Sequence, residues 1–233
     1  SNLEEGLASL RFNSLQMIDD LKACGINVNC TPVADVLAPE THDVIGDRAF
    51  SSRADIVSRM GLSVCRHYLA SGVVPIMKHI PGHGRAAADS HLELPVVDTD
   101  AATLRAQDFK PFADIATSEV GAQVWAMSAH VIYSALDADK PATISPSLIA
   151  ETIRGEMGFD GVLISDDLDM KALAPYGSPA EMAAESLAAG CDLALHCCGE
   201  MDLMVKIAEK TPKLANSALK RLQSAAEFRK LAA

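Results

Sequence analysis

Gly72-Val73-Val74-Pro75-Ile76-Met77-Lys78-His79 is an apolar run of strand length that starts after a glycine and ends on a lysine and a histidine. Its Val74–His79 part reads as a strand, and four other runs share the design: Asn27–Val33, Val124–Ala129, Gly161–Ser165 and Asp192–His196. Each is rich in apolar side chains and bounded by Gly, Pro or Asp. Segments of helical length alternate with them, at Glu4–Cys24, Arg53–Ser71, Thr99–Thr117, Ser145–Met157, Pro179–Ala189, Met201–Lys210 and Asn216–Leu231. Ser145-Pro146 and Ser178-Pro179 read as an N-cap followed by a proline at the first helical position. Gly25, Gly72, Gly158 and Gly190 fall where a helix should stop before a strand.

Strands alternating with helices imply parallel strands joined by crossovers, and near-continuous apolar strands imply a sheet covered on both faces. Two α/β architectures fit: a doubly wound open sheet and a (β/α)8 barrel. Polar side chains follow nearly every strand: Asp35 and Arg48, then Lys78 and His79, then His130, then Asp166 and Asp167, then His196. In a barrel all of these ends converge on one site, whereas in an open sheet only those beside the switch point share a cleft. The barrel is therefore the expectation, although five strands fall short of the eight that closure needs.

With 233 residues, a net charge of -11, 49% hydrophobic and 22% charged residues, the chain is expected to be globular and not disordered. The acidity argues against nucleic acid or an anionic membrane as partner. No apolar run approaches the roughly 20 residues that span a bilayer, and no stretch reads as a signal peptide. No linker divides the chain, which reads as one domain over residues 1–233. The six cysteines, at 24, 30, 65, 191, 197 and 198, form no CxxC pair. They are expected to be buried or idle thiols, which points to the cytoplasm.

The densest chemistry lies in Lys78-His79-Ile80-Pro81-Gly82-His83-Gly84, followed by Asp89-Ser90-His91. His79 and His83 have the spacing of helical metal ligands, but Pro81 and Gly82 between them oppose a helix, so neither a metal nor a cofactor is expected. Arg85–Ser90 reads as a mobile lid. Asp89 and His91 could form an acid/base pair, the carboxylate fixing the imidazole tautomer, or be two solvated loop residues. Ile164-Ser165-Asp166-Asp167-Leu168 ends a strand on two carboxylates that point opposite ways, so one at most faces a site, as nucleophile, metal ligand or turn cap. Asp167 reads as the turn-capping member. His130 is either a wall of the site or a satisfied core histidine, Trp125 is core, and His42 and His67 are surface. His196 could line the pocket, although His196-Cys197-Cys198 matches no motif.

Lys78–Gly84 with Asp89-Ser90-His91, then Ser165-Asp166-Asp167-Leu168-Asp169-Met170, resembles the signature of family 3 glycoside hydrolases, and most closely their bacterial β-N-acetylglucosaminidase branch. Ile45–Phe50 and Ser128–Tyr133 also match that branch, so the resemblance covers nearly the whole chain. It implies a (β/α)8 barrel and hydrolysis with retention through a covalent intermediate. Asp166 would then be the nucleophile, His91 the general acid and base, Asp89 its partner, and Arg48, Lys78 and His79 the ligands of sugar hydroxyls. Most retaining glycosidases use two carboxylates about 5 Å apart; here a His–Asp pair would replace one, and a neutral imidazole does not repel the nucleophile.

The implied substrate is a muropeptide-type carbohydrate, N-acetylglucosaminyl-1,6-anhydro-muramic acid with or without peptide, used in peptidoglycan recycling by a monomer. The rivals are a β-glucosidase of the same family, against which Asp89-Ser90-His91 speaks, and a non-catalytic sugar-binding barrel. The branch has three further strands before the point where this sequence starts, so the barrel is expected to be N-terminally incomplete.

Overall fold

The computed structural model describes residues 3–39, 41–88, 90 and 93–231. Seven strands form: β1 (Val28–Asn29), β2 (Val74–Ile80), β3 (Val96–Val97), β4 (Trp125–Ser128), β5 (Ile132–Tyr133), β6 (Leu163–Asp167) and β7 (Leu193–Leu195). Five of them make one parallel sheet in the order β1-β2-β4-β6-β7, and β3 and β5 pair separately, also in parallel. Each strand of the main sheet lies beside the next in chain order. A doubly wound sheet would reverse direction once, at a switch point; this order never does, so the sheet is an arc of a (β/α)8 barrel.

Alternation along the strands builds an apolar layer on each face. Met77, Ala126 and Leu163 turn outward to the main core, with Leu69, Phe112, Ile149 and Ile153. Their strand neighbours Ile76, Met127 and Ile164 face the other way and pack with Val28, Trp125, Leu193 and Leu195. Trp125 thus sits in an apolar layer, as its place within a strand suggests.

Helices α1 (Leu3–Ala23), α2 (Ala54–Ala70), α3 (Ala101–Thr103), α4 (Lys110–Ala116), α5 (Pro179–Ala189), α6 (Met201–Lys210) and α7 (Asn216–Leu231) follow the expected pattern, with two departures. The helix expected over Ser145–Met157 forms as a wider helix over Leu148–Glu156. The single helix expected over Thr99–Thr117 is interrupted. Asp100 caps α3 by accepting the Thr103 N–H, a wider helical turn runs over Leu104–Asp108, and α4 restarts where Pro111 needs no backbone donor. Ser178 and Glu181 form a reciprocal capping box at the start of α5. The strand expected over Asn27–Val33 keeps ladder pairing only at Val28 and Asn29, because Pro32 has no N–H to give; Val33 regains a single bridge, to Lys78.

Candidate active site

The cleft is built at the C-terminal ends of the strands. β6 continues through both carboxylates, and its alternation separates them. Asp166 faces the cleft. Asp167 turns away, and its Oδ1 accepts the backbone N–H groups of Asp169 at 3.3 Å and Cys197 at 3.1 Å, the turn-capping role expected of it. The Asp167 N–H in turn donates to Asp166 Oδ1 at 2.8 Å.

From β2 come Lys78 and His79. The β2–β4 register pairs Lys78 with Met127 and Ile80 with Ser128, so His79 is an extra residue in a bulge that re-aims its side chain. Asp35, fully buried in the segment after β1, holds this bulge. Its Oδ2 lies 2.7 Å from His79 Nδ1, and its Oδ1 accepts the His79 N–H at 3.1 Å and the His83 N–H at 2.6 Å. Gly84 passes so close to this segment that a Cβ there would lie 1.8 Å from the Val36 carbonyl oxygen, which leaves room for glycine alone. Gly82 has φ +144, and its carbonyl accepts the Tyr133 hydroxyl at 2.9 Å.

Arg48 arrives on the short helical turn Gly46–Arg48 and donates through Nη2 to the Val44 carbonyl. Together Val44, Ile45, Arg48, Lys78, His79, His83, Ser90 and Asp166 line a small cleft of about 90 Å³. Asp166 is the one carboxylate among the described residues of that lining. Cys30, after β1, lies near enough to Lys78 and Asp166 to feel both charges.

Electrostatics separate the groups further. Burial alone would raise the Asp35 carboxyl pKa, but the neighbouring His79 and the bonds from His79 and His83 outweigh it, so the pKa is lowered and Asp35 is held ionised. Burial, with His79 beside it, pushes the His83 imidazole down to about 4, so His83 is neutral near pH 7; its Nε2 lies 3.2 Å from the Ser90 hydroxyl. His130 is fully buried beneath the site, and burial lowers its pKa. Its Nε2–H donates to the Asp167 carbonyl at 3.0 Å, and Nδ1 meets the Thr143 hydroxyl at 2.8 Å. Of the two readings of His130, the satisfied core histidine is the observed one.

Of the site residues expected from sequence, Arg48, Lys78, His79 and Asp166 meet in the cleft; Asp89 and His91 lie outside the described residues. Several expectations need correction. His196 does not line the cleft; it lies 2.8 Å from Asp169. The start of the expected lid is anchored, with Arg85 bonded to Asp108 at 2.8 Å and to Gln107 at 2.6 Å, and Ala86 fully buried. His42 and His67 are half-buried, because each lies on the inner side of its segment. Four of the six free thiols are exposed, at Cys24, Cys30, Cys197 and Cys198; Cys65 and Cys191 are buried, and burial drives their pKa values up. His79 and His83 do not converge on a metal, since one turns to Asp35 and the other to Ser90. Sequence reading missed the role of Asp35, although an aspartate inside the apolar run Pro32-Val33-Ala34-Asp35-Val36-Leu37 was the signal.

The family described as the glycosyl hydrolase family 3 N-terminal domain matches residues 7–227. The chain belongs to glycosyl hydrolase family 3. Among curated relatives of this family 3 chain, a beta-hexosaminidase of Alkalilimnicola ehrlichii is 40% identical over 181 residues, which are 78% of this chain and 51% of the relative. Among solved structures, a family 3 beta-N-acetylglucosaminidase from Paenibacillus superposes with a TM-score of 0.85 at 28% identity, covering 100% of this chain and 45% of that one. Native NagZ from Neisseria gonorrhoeae gives 0.81 at 30% identity, covering 98% and 66%. The family 3 chain spans about half the length of most of the curated relatives it matches, from 31% to 57%. Among its described residues, no helix is long and apolar enough to cross a membrane.

Proposed function

We propose that this family 3 chain carries the catalytic face of a retaining exo-β-N-acetylglucosaminidase. In this reading it releases terminal N-acetylglucosamine from peptidoglycan fragments, N-acetylglucosaminyl-1,6-anhydro-muramic acid with or without peptide, during cell-wall recycling in the cytoplasm. The observation that carries the reading is the cleft in which Asp166, the only carboxylate among the described lining residues, faces Arg48, Lys78 and His79. The names of the relatives, beta-hexosaminidase and beta-N-acetylglucosaminidase, point to the same sugar.

Asp166 attacks the anomeric carbon as the glycosidic oxygen departs with a proton from His91, which Asp89 orients. Water then gives a proton back to His91 and displaces Asp166, so the configuration is retained. Arg48 and Lys78 donate to sugar hydroxyls, and their charges offset that of the carboxylate. His79, fixed by Asp35, presents its free Nε2 to the sugar. A retaining site of the two-carboxylate kind has a second acid about 5 Å from the first; in this reading His91 takes that task, as the resemblance to the family implies.

A fluorinated N-acetylglucosaminyl donor that traps the covalent intermediate tests this on the full-length protein. Intact-mass and peptide mapping are expected to show one glycosyl adduct on Asp166. In the Asp166→Ala variant, turnover of an aryl N-acetyl-β-glucosaminide is expected to fall about 10⁴-fold, or about 5 kcal/mol in the barrier, with an unchanged circular dichroism spectrum. An adduct elsewhere, or wild-type turnover in the variant, would remove Asp166 from the role.

A further inference from the structure

In the loops that follow β6 and β7 lies a second cluster that the proposed hydrolysis leaves unused. Asp169 follows β6, while His196 and Cys198 follow β7. The His196 Nδ1 is 2.8 Å from an Asp169 carboxylate oxygen, and its Nε2 is 3.1 Å from the Cys198 sulfur. One imidazole nitrogen, the thiol sulfur and a carboxylate oxygen all lie within 4.8 Å of one another. The His196 side chain is only 9% exposed and that of Asp169 25%, whereas Cys198 is open to solvent.

The Asp169–His196 contact is close but misdirected. Asp169 Oδ2 and His196 Nδ1 are both buried, and neither has a hydrogen-bond partner of proper geometry. Buried polar atoms left in this state normally find a partner in water or an ion. The backbone around them is already ordered. Asp167 Oδ1 takes the N–H groups of Asp169 and Cys197 together, and the Leu168 N–H donates to the Leu195 carbonyl. The two loops that supply the ligands are thus stitched in place before any ligand binds.

We propose that Asp169, His196 and Cys198 form a binding site for a thiophilic divalent cation of the Zn²⁺ class. The donor set decides the class. A thiolate is a poor ligand for Mg²⁺ or Ca²⁺, which take oxygen, while sulfur, imidazole and carboxylate together are typical of Zn²⁺. Bond lengths of about 2.0–2.3 Å to the three ligand types place the ligand atoms roughly 3.3–3.7 Å apart in a tetrahedron. The two short approaches use opposite nitrogens of the His196 ring, so a turn of that ring is needed to bring one nitrogen, the sulfur and the carboxylate oxygen, now within 4.8 Å of one another, to this spacing. On binding, the Cys198 thiol releases its proton to water and the sulfur donates its electron pair to the cation. Water takes the fourth position on the exposed side. The cation then ties the loop after β6 to the loop after β7, and it takes no part in hydrolysis.

Co²⁺ titrated into the reduced, chelator-stripped full-length protein tests the site. One equivalent is expected to produce a near-ultraviolet thiolate-to-metal band with tetrahedral visible bands, and Zn²⁺ is expected to displace it. Both signals are expected to vanish in Cys198→Ser and in His196→Ala, and to persist in the controls Cys197→Ser and Cys30→Ser. Cys198 is exposed, so its serine variant keeps the fold, which a circular dichroism spectrum verifies. Absence of a thiolate band in the wild type, or its survival in Cys198→Ser, would overturn the proposal. Turnover measured in the same samples with and without chelator is expected to be equal, which separates failure of this site from failure of the hydrolase reading.

Discussion

Two loops deliver side chains to one cleft and are held by opposite means. The loop after β2 is fastened from a distance. Asp35 grips His79 and His83, Gly84 lies against Val36, Tyr133 bonds the Gly82 carbonyl, and Asp108 pairs with Arg85. The turn after β6 is fastened partly from within, by Asp167 donating to Asp166 and accepting from Asp169, and partly by uncharged bonds to neighbours: Cys197 N–H, the Leu195 carbonyl and His130. The position of His79 therefore depends on a buried carboxylate forty-four residues away, while Asp166 is bonded by the next residue of its own strand. Damage far from the cleft should disturb the sugar-binding side chains before it disturbs the nucleophile.

The largest effect on stability should come from the remote anchor. Asp35→Ala leaves a buried imidazole and two backbone donors without an acceptor, at a cost of about 3–5 kcal/mol in urea denaturation. A loss below about 1 kcal/mol would show that the loop after β2 is held by its glycines and apolar contacts instead.

A pH effect of intermediate size follows from His83. Its folded-state pKa, about 4, lies below the ordinary 6.5, so between those values the unfolded chain binds a proton that the folded chain refuses. Stability is complete above about pH 6.5 and falls as pH drops toward 4, by about 3 kcal/mol at most. Asp35, whose pKa is lowered, contributes only above its ordinary 3.8 and loses its share at still lower pH, so the two windows are distinct. His130 and His67 are depressed in the same sense, so the slope in His83→Asn should diminish without disappearing. An unchanged slope would mean that His83 titrates alike in the folded and unfolded chains.

The smallest effect is expected in the β6 turn. Asp167→Ala removes an acceptor for two partly exposed backbone donors, costing about 1–2 kcal/mol, and turnover should change less than tenfold. If this variant were as unstable as Asp35→Ala, the contrast between remote and local fastening would collapse.

The outline of the fold was legible in the sequence because its cues are local. Apolar runs, proline after a serine cap, and glycine at helix ends placed α5, α6 and the five strands of the main sheet within a few residues. The grouping of Arg48, Lys78, His79 and Asp166 followed from their places at strand ends in one parallel sheet. Asp35 escaped because its function is to bond groups more than forty residues away, which no spacing reveals. The same reason hid the β3–β5 pair, two residues each and joined across an excursion of the chain. His196 could have lined the pocket because it ends a strand, yet its ring lies against Asp169.

The unreversed strand order has a consequence for how the chain assembles. Each strand pairs with the one before it, Val28 with Val74, Ile76 with Trp125, Ala126 with Leu163 and Ile164 with Leu193. Every pairing in the main sheet joins a strand to the main-sheet strand before it in the chain, so within this arc none waits for one made much later. During synthesis, each new strand and helix can dock on the edge left by its predecessor, and the unpaired edge moves along with the ribosome. The carboxylate of Asp166 therefore reaches the cleft only after the histidines are already in their places.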